Sequence, residues 1–150
     1  MPDKKLSTSD IIILAAGAVI LIFGFLPFIK ISGFDKSYNV FGDFAFPVAT
    51  FVWLIGIIMA AHVALTKFAN VNLPERVWEF TWDQVHVALA LFAALIMVFW
   101  LITSQTGLEK GIGFFFLLLG AIALLVGAIM RTREAPAATA GPGTTPPTPF

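Results

Sequence analysis

Four apolar stretches divide the chain, at 11–29, 44–66, 87–108 and 111–130, and none contains Asp, Glu, Lys or Arg. A bilayer core about 30 Å thick takes roughly 20 apolar helical residues at 1.5 Å each. The four stretches have that length. They predict helices over about 10–29, 44–67, 83–104 and 110–131, an all-α, four-helix transmembrane bundle flanked by a short N-terminus (1–9) and a tail (134–150). Ser7 to Asp10 has the spacing of a capping box, with Ser7 or Ser9 as N-cap. Pro27 ends helix 1, and Pro47 is tolerated in the first turn of helix 2.

The polar segments between are short. KISGFDKSYNVFGD predicts a small hairpin or a segment lying along the interface through Phe34, Tyr38 and Phe41. Asn70, Asn72 and Pro74 break helix 2, after which PERVWEFTWDQ reads as an interfacial turn of helix or a plain loop. SQTGLEK is a tight turn at Gly107. APAATAGPGTTPPTPF offers almost nothing to bury and reads as a disordered tail.

Small residues recur along the helical stretches. Gly113, Gly120 and Gly127 repeat every seven residues, as Gly17 and Gly24 do in helix 1, and such a row keeps one seam facing a partner helix. Helices 1 and 4 are therefore expected to pack closely and close the bundle. Gly56, Ala60 and Ala64 form a second row at spacing four; Ala90 and Ala94 extend the His86 face of helix 3. Intramolecular packing explains these rows better than a dimer face.

Composition agrees with a membrane class. The chain is 59% hydrophobic and 12% charged, with mean hydropathy +0.92, whereas a soluble domain carries about 25% charged residues. Net charge is zero, which gives no reason to expect nucleic-acid binding. There are no cysteines, so disulfides, thiolate metal sites and thiol redox chemistry are excluded. Lys4 and Lys5 before an apolar run also fit a signal peptide, but the run is long and no A-x-A pattern follows Pro27, so an uncleaved anchor is expected. Four spans put Lys4, Lys5, Lys67, Arg76, Arg131 and Arg133 on one side against Lys30, Lys36 and Lys110 on the other. That bias favours both termini in the cytoplasm of a plasma-membrane protein.

Candidate chemistry concentrates between His62 and His86, the joint of helices 2 and 3. Antiparallel neighbours joined by one loop bring the two histidines to similar depth, and Asp83 shares a helix face with His86. Two imidazoles at one depth can ligate a haem axially, or hold a metal with Asp83. Each lies only a turn or so from the interface, however, where water and headgroups satisfy an imidazole. No cofactor or metal is therefore assigned, and His62 and His86 stand as speculative cofactor ligands. Trp78, Trp82, Asp83 and Trp100 suit the headgroup region. Glu75, Arg76, Glu79 and Asp83 read as a solvated cluster, and Phe114, Phe115 and Phe116 as lipid-facing bulk. No carboxylate lies mid-helix, which argues against a proton-coupled small multidrug-type transporter. P-loop, HExxH and GxSxG patterns are missing, so no catalytic residue is named and an enzyme is not expected.

Taken in order, FGFLPFI, FTWDQVH and LLLGAIALLVGAIMR carry a resemblance. Over most of residues 7–133 the chain resembles small four-span integral membrane proteins of unknown function from high-GC Gram-positive bacteria, which end in a Pro/Ala/Thr-rich tail. The resemblance implies a bacterial plasma membrane and no enzymatic activity. Three functions remain in view. The first is a non-enzymatic accessory subunit that binds another membrane protein, or a second copy of itself, alongside membrane lipids. The second is a bis-histidine haem or quinone-linked electron carrier. The third is a small oligomeric transporter or channel, for which the helices offer few polar residues.

Overall fold

The computed structural model describes residues 5–103 and 105–134. It contains four helices: α1 (Thr8–Phe23), α2 (Val48–Lys67), α3 (Trp82–Ile102) and α4 (Ile112–Glu134). Five short strands lie in the connections: β1 (Ile29–Ile31), β2 (Ser37–Tyr38), β3 (Arg76–Val77), β4 (Phe80–Thr81) and β5 (Leu108–Lys110). Helices α2, α3 and α4 are long and apolar enough to cross a membrane, while α1 is a shorter apolar helix. The contact between α1 and α4 is the most extensive, with α2 laid on α1 and α3 on α4; α2 and α3 meet over a thinner seam.

Helix boundaries follow from caps and prolines. Ser7 is the N-cap of α1, and the reciprocal Ser7–Asp10 bonds form a complete capping box. Helix 1 stops at Phe23 rather than running to 29. Leu26 precedes Pro27, which disfavours helical backbone there and removes a donor, and the Phe28 N–H instead donates to the Tyr38 carbonyl. Hydropathy alone does not separate a buried strand from a helix end, so FLPFI read as more helix. At α2 the chain first makes a turn over 44–47, and the helix begins after a cis Phe46–Pro47 bond. Thr81 caps α3 with a capping box to Gln84. Helix α4 continues through Arg131 and Arg133 to Glu134. The expected disordered tail lies outside the described residues, apart from Glu134, which is helical.

Interhelical packing places glycine against bulk. The Gly113–Gly120–Gly127 row of α4 faces α1: a Cβ at 113 would meet the carbonyl oxygens of Leu26, Phe23 and Pro27, at 120 the side chain of Ile20, and at 127 that of Ile13. Gly17 and Gly24 do not answer that row. They face α2, against Ala60 and Trp53 respectively. Ile20, fully buried, lies against both Gly56 of α2 and Gly120 of α4. One branched side chain thus fills holes on two neighbours, which sets the close approach that dispersion needs where lipid tails compete equally for apolar surface. Between the bundle's ends the interior is filled by Ile13, Val52, Met59, Met97, Leu117 and Leu124.

The outside is as apolar as the inside. Phe51, Leu54 and Ile58 on α2, Phe92, Leu95 and Phe99 on α3, and Phe115, Leu119 and Ile122 on α4 are all exposed. Helices apolar all round suit a membrane rather than water. Phe114 departs from the lipid-facing reading: it is buried, packed on Phe28 with centroids 5.4 Å apart. Phe116 is half-buried and stacked on Phe23, and Phe115 points outward.

The connections also differ from simple turns. The first forms a hairpin, one of the two alternatives for this segment, and the third adds β5 to it, giving an antiparallel sheet in the order β2-β1-β5 with Ile29 opposite both Tyr38 and Lys110. Its tight turns use Gly33 (φ 81) and Gly107 (φ 82), a backbone region that glycine enters without a Cβ penalty. The joint between α2 and α3 is a second hairpin, β3-β4, with Val77 opposite Phe80, and not an interfacial helix.

Candidate functional site: a polar node at one end of the bundle

At the end opposite the three-stranded sheet, every helix contributes at least one charged side chain to a single network. Asp10, in the first turn of α1, is 2% exposed. Its Oδ2 accepts the Ser7 N–H and lies 3.2 Å from Lys67 Nζ at the close of α2. Its Oδ1 accepts from Arg131 Nη1 of α4 at 3.2 Å. Arg131 Nε donates in turn to Asp83 Oδ1 at the start of α3, at 2.7 Å. Two cations thus meet two carboxylates, each at a helix end. Acids sit at the N-termini of α1 and α3 and bases near the C-termini of α2 and α4, the arrangement the helix dipoles favour. Ser9 Oγ, donating to Glu134 Oε2 at 2.6 Å, ties α1 to α4 a second time.

This node takes Asp83 out of the expected solvated cluster. Asp83 turns inward to Arg131, whereas Glu75, Arg76 and Glu79 are exposed on the joint. In the sequence Asp10 reads only as a capping residue, and Lys67 and Arg131 enter only through the charge bias that orients the helices. The usable signal was their common placement at helix ends that four alternating spans bring to one side.

Just inside the node lie the two histidines. His62 is 6% and His86 1% exposed. Their rings pack edge to face with centroids 4.8 Å apart, and one face of His62 is covered by the Trp82 indole, stacked at 4.1 Å. Trp82 is anchored by its own Nε1–H, which donates to the Pro74 carbonyl at 2.7 Å. His62 Nδ1 and both nitrogens of His86 are buried without a hydrogen-bond partner among the described residues. The equal-depth expectation therefore describes where these side chains lie, but the arrangement does not fit a haem. Axial imidazoles stand on opposite faces of a macrocycle with their nitrogens aimed at the iron between them; these two rings touch each other. Among the described residues no three His, Cys, Asp or Glu side chains are grouped to hold a metal.

The other selected residues are dispersed. Trp100, half-buried, meets Phe28 edge-on at the sheet end, at 5.4 Å. Trp78 sits in the two-residue turn of the β3-β4 hairpin, 94% exposed, with φ 59. Ala90 and Ala94 are buried in the core with His86, and Ala64 is half-buried. Fold and node together define a helical bundle in which three helices are long and apolar enough to cross a membrane. No protein-family model, curated protein or solved structure matches the chain.

Proposed function

We propose that this chain is a four-span plasma-membrane protein with both termini in the cytoplasm, acting as a non-enzymatic accessory subunit that holds another membrane protein. Span number is supported by α1, which runs from the polar node to the sheet, the same two ends its neighbours connect. Sixteen helical residues cover about 24 Å, and the apolar run over 24–28 supplies the remaining depth. Against a pore stands the filled interior, and against a bis-histidine haem stands the ring-to-ring packing of His62 and His86.

The observation that carries the interaction role is Trp78. A bulky L-residue in the left-handed region costs about 1–2 kcal/mol, and an indole 94% exposed buries almost nothing to offset it. Tryptophan is among the side chains enriched at the energetic anchors of protein interfaces. Tagged full-length protein gently extracted from its native membrane retains a stoichiometric membrane partner, and Trp78→Gly weakens that retention roughly 30-fold, the ~2 kcal/mol of an anchoring tryptophan. The reading fails if the wild-type protein retains no partner.

A further inference from the structure

Where α3 ends and α4 begins, beneath β5, a cleft opens to the surface. Its floor is aromatic: Phe28 and Phe114 are buried, and Trp100 lies edge-on to Phe28. Thr103, Glu109 and Lys110 form its polar rim, and exposed Phe99 its side wall on the apolar perimeter of α3. Successive strand residues point to opposite faces, and β5 uses this to separate two charges. Glu109 turns to accept the Ser32 hydroxyl at 3.0 Å. Lys110 leans the other way, its Nζ over the Phe114 ring at 5.8 Å. The ion pairs of the described residues involve Lys67 and Arg131 and leave Lys110 with no carboxylate.

An ammonium held over an aromatic floor, at the level where apolar helices give way to a polar sheet, is matched by an amphiphile with an anionic head. We propose that this cleft binds one anionic phospholipid of the adjoining leaflet, its phosphate on Lys110 and its acyl chains descending past Phe99. This inference rests on the membrane-spanning reading, but not on the interaction role of Trp78. Lys110 fixes the charge preference, because a point cation recognises phosphate without demanding a particular headgroup beyond it. The aromatic floor excludes water and strengthens that attraction.

The test is native mass spectrometry of the full-length chain in mild detergent, titrated with phosphatidylglycerol or phosphatidylcholine of matched acyl chains. One phosphatidylglycerol is retained with roughly tenfold preference, as expected for one charge-assisted contact. Lys110→Glu abolishes the preference, while Lys36→Glu, on the exposed first hairpin, leaves it intact. Equal retention of the two lipids by the wild type overturns the proposal whatever the variants do. So does equal loss in Lys36→Glu, or displacement of the lipid by inorganic phosphate. A failure of the membrane-spanning reading itself would appear separately, in the labelling pattern of residues at the two ends.

Discussion

At the scale of single residues, Asp10 is the most exacting position. It is one carboxylate serving two cations and its own helix cap, in a place almost closed to water. Removing one partner of a buried ion pair typically costs 3–5 kcal/mol because the other charge is stranded. Lys67 and Arg131 keep 27% and 20% of their side-chain surface, so both recover some hydration. Asp10→Ala is therefore expected to cost about 2 kcal/mol, measured as the shift in thermal unfolding in detergent. Asp83, with 28% exposure and one partner, behaves more like a surface pair, worth at most about 1 kcal/mol, so Asp83→Asn shifts the transition less. Equal shifts would mean that Arg131, rather than Asp10, centres the node. The asymmetry was not legible in the sequence, where both are acids near a helix start; only burial separates them.

At the scale of elements, the α4 glycine row separates two kinds of close approach. At Gly113 the nearest atoms are backbone oxygens of the α1 exit, at 2.8–3.0 Å from an added Cβ. At Gly120 they are Ile20 Cγ1 and Cδ1, at 2.6 and 3.0 Å, in a β-branched side chain that is stiff in a helix and that Gly56 confines from the other side. Alanine in place of glycine gains up to about 1 kcal/mol in a helix, and overpacking typically costs 1–3 kcal/mol. Gly113→Ala and Gly120→Ala are each expected to destabilise by about 2 kcal/mol, as read from unfolding midpoints. A near-neutral Gly120→Ala would show that Ile20 is not locked between α2 and α4, and a near-neutral Gly113→Ala that the α1 exit is the looser element. Ile20→Ala, which empties holes on two helices, is expected to cost about 3 kcal/mol. The seven-residue repeat in α4 was readable because periodicity is a property of the sequence. That Gly17 and Gly24 answer α2 instead was not, because a spacing names a face and not the neighbour opposite it.

For the whole molecule, the apolar stretches were legible as helices because hydropathy and length are local quantities. The β5 addition to the first hairpin is hidden because it pairs Ile29–Ile31 with Leu108–Lys110, far apart in the sequence, and the inward turn of Asp83 because it needs Arg131 from another helix. The number of crossings is the global question on which α1 bears. If α1 crosses, Lys5 lies on the same side as Glu79 and opposite Lys36; if it does not, Lys5 and Lys36 share a side, since α2 still separates Lys36 from Glu79. The chain has no cysteine, so Lys5→Cys, Lys36→Cys and Glu79→Cys each introduce a single thiol at an exposed position. With a membrane-impermeant maleimide on intact cells, only Lys36→Cys is expected to label, and Lys5→Cys and Glu79→Cys only after permeabilisation. Labelling of Lys5→Cys together with Lys36→Cys would make α1 a helix lying on the bundle rather than a span. The node joining Asp10 to Lys67, Asp83 and Arg131 argues for the first outcome, because those partners end the helices on the Glu79 side.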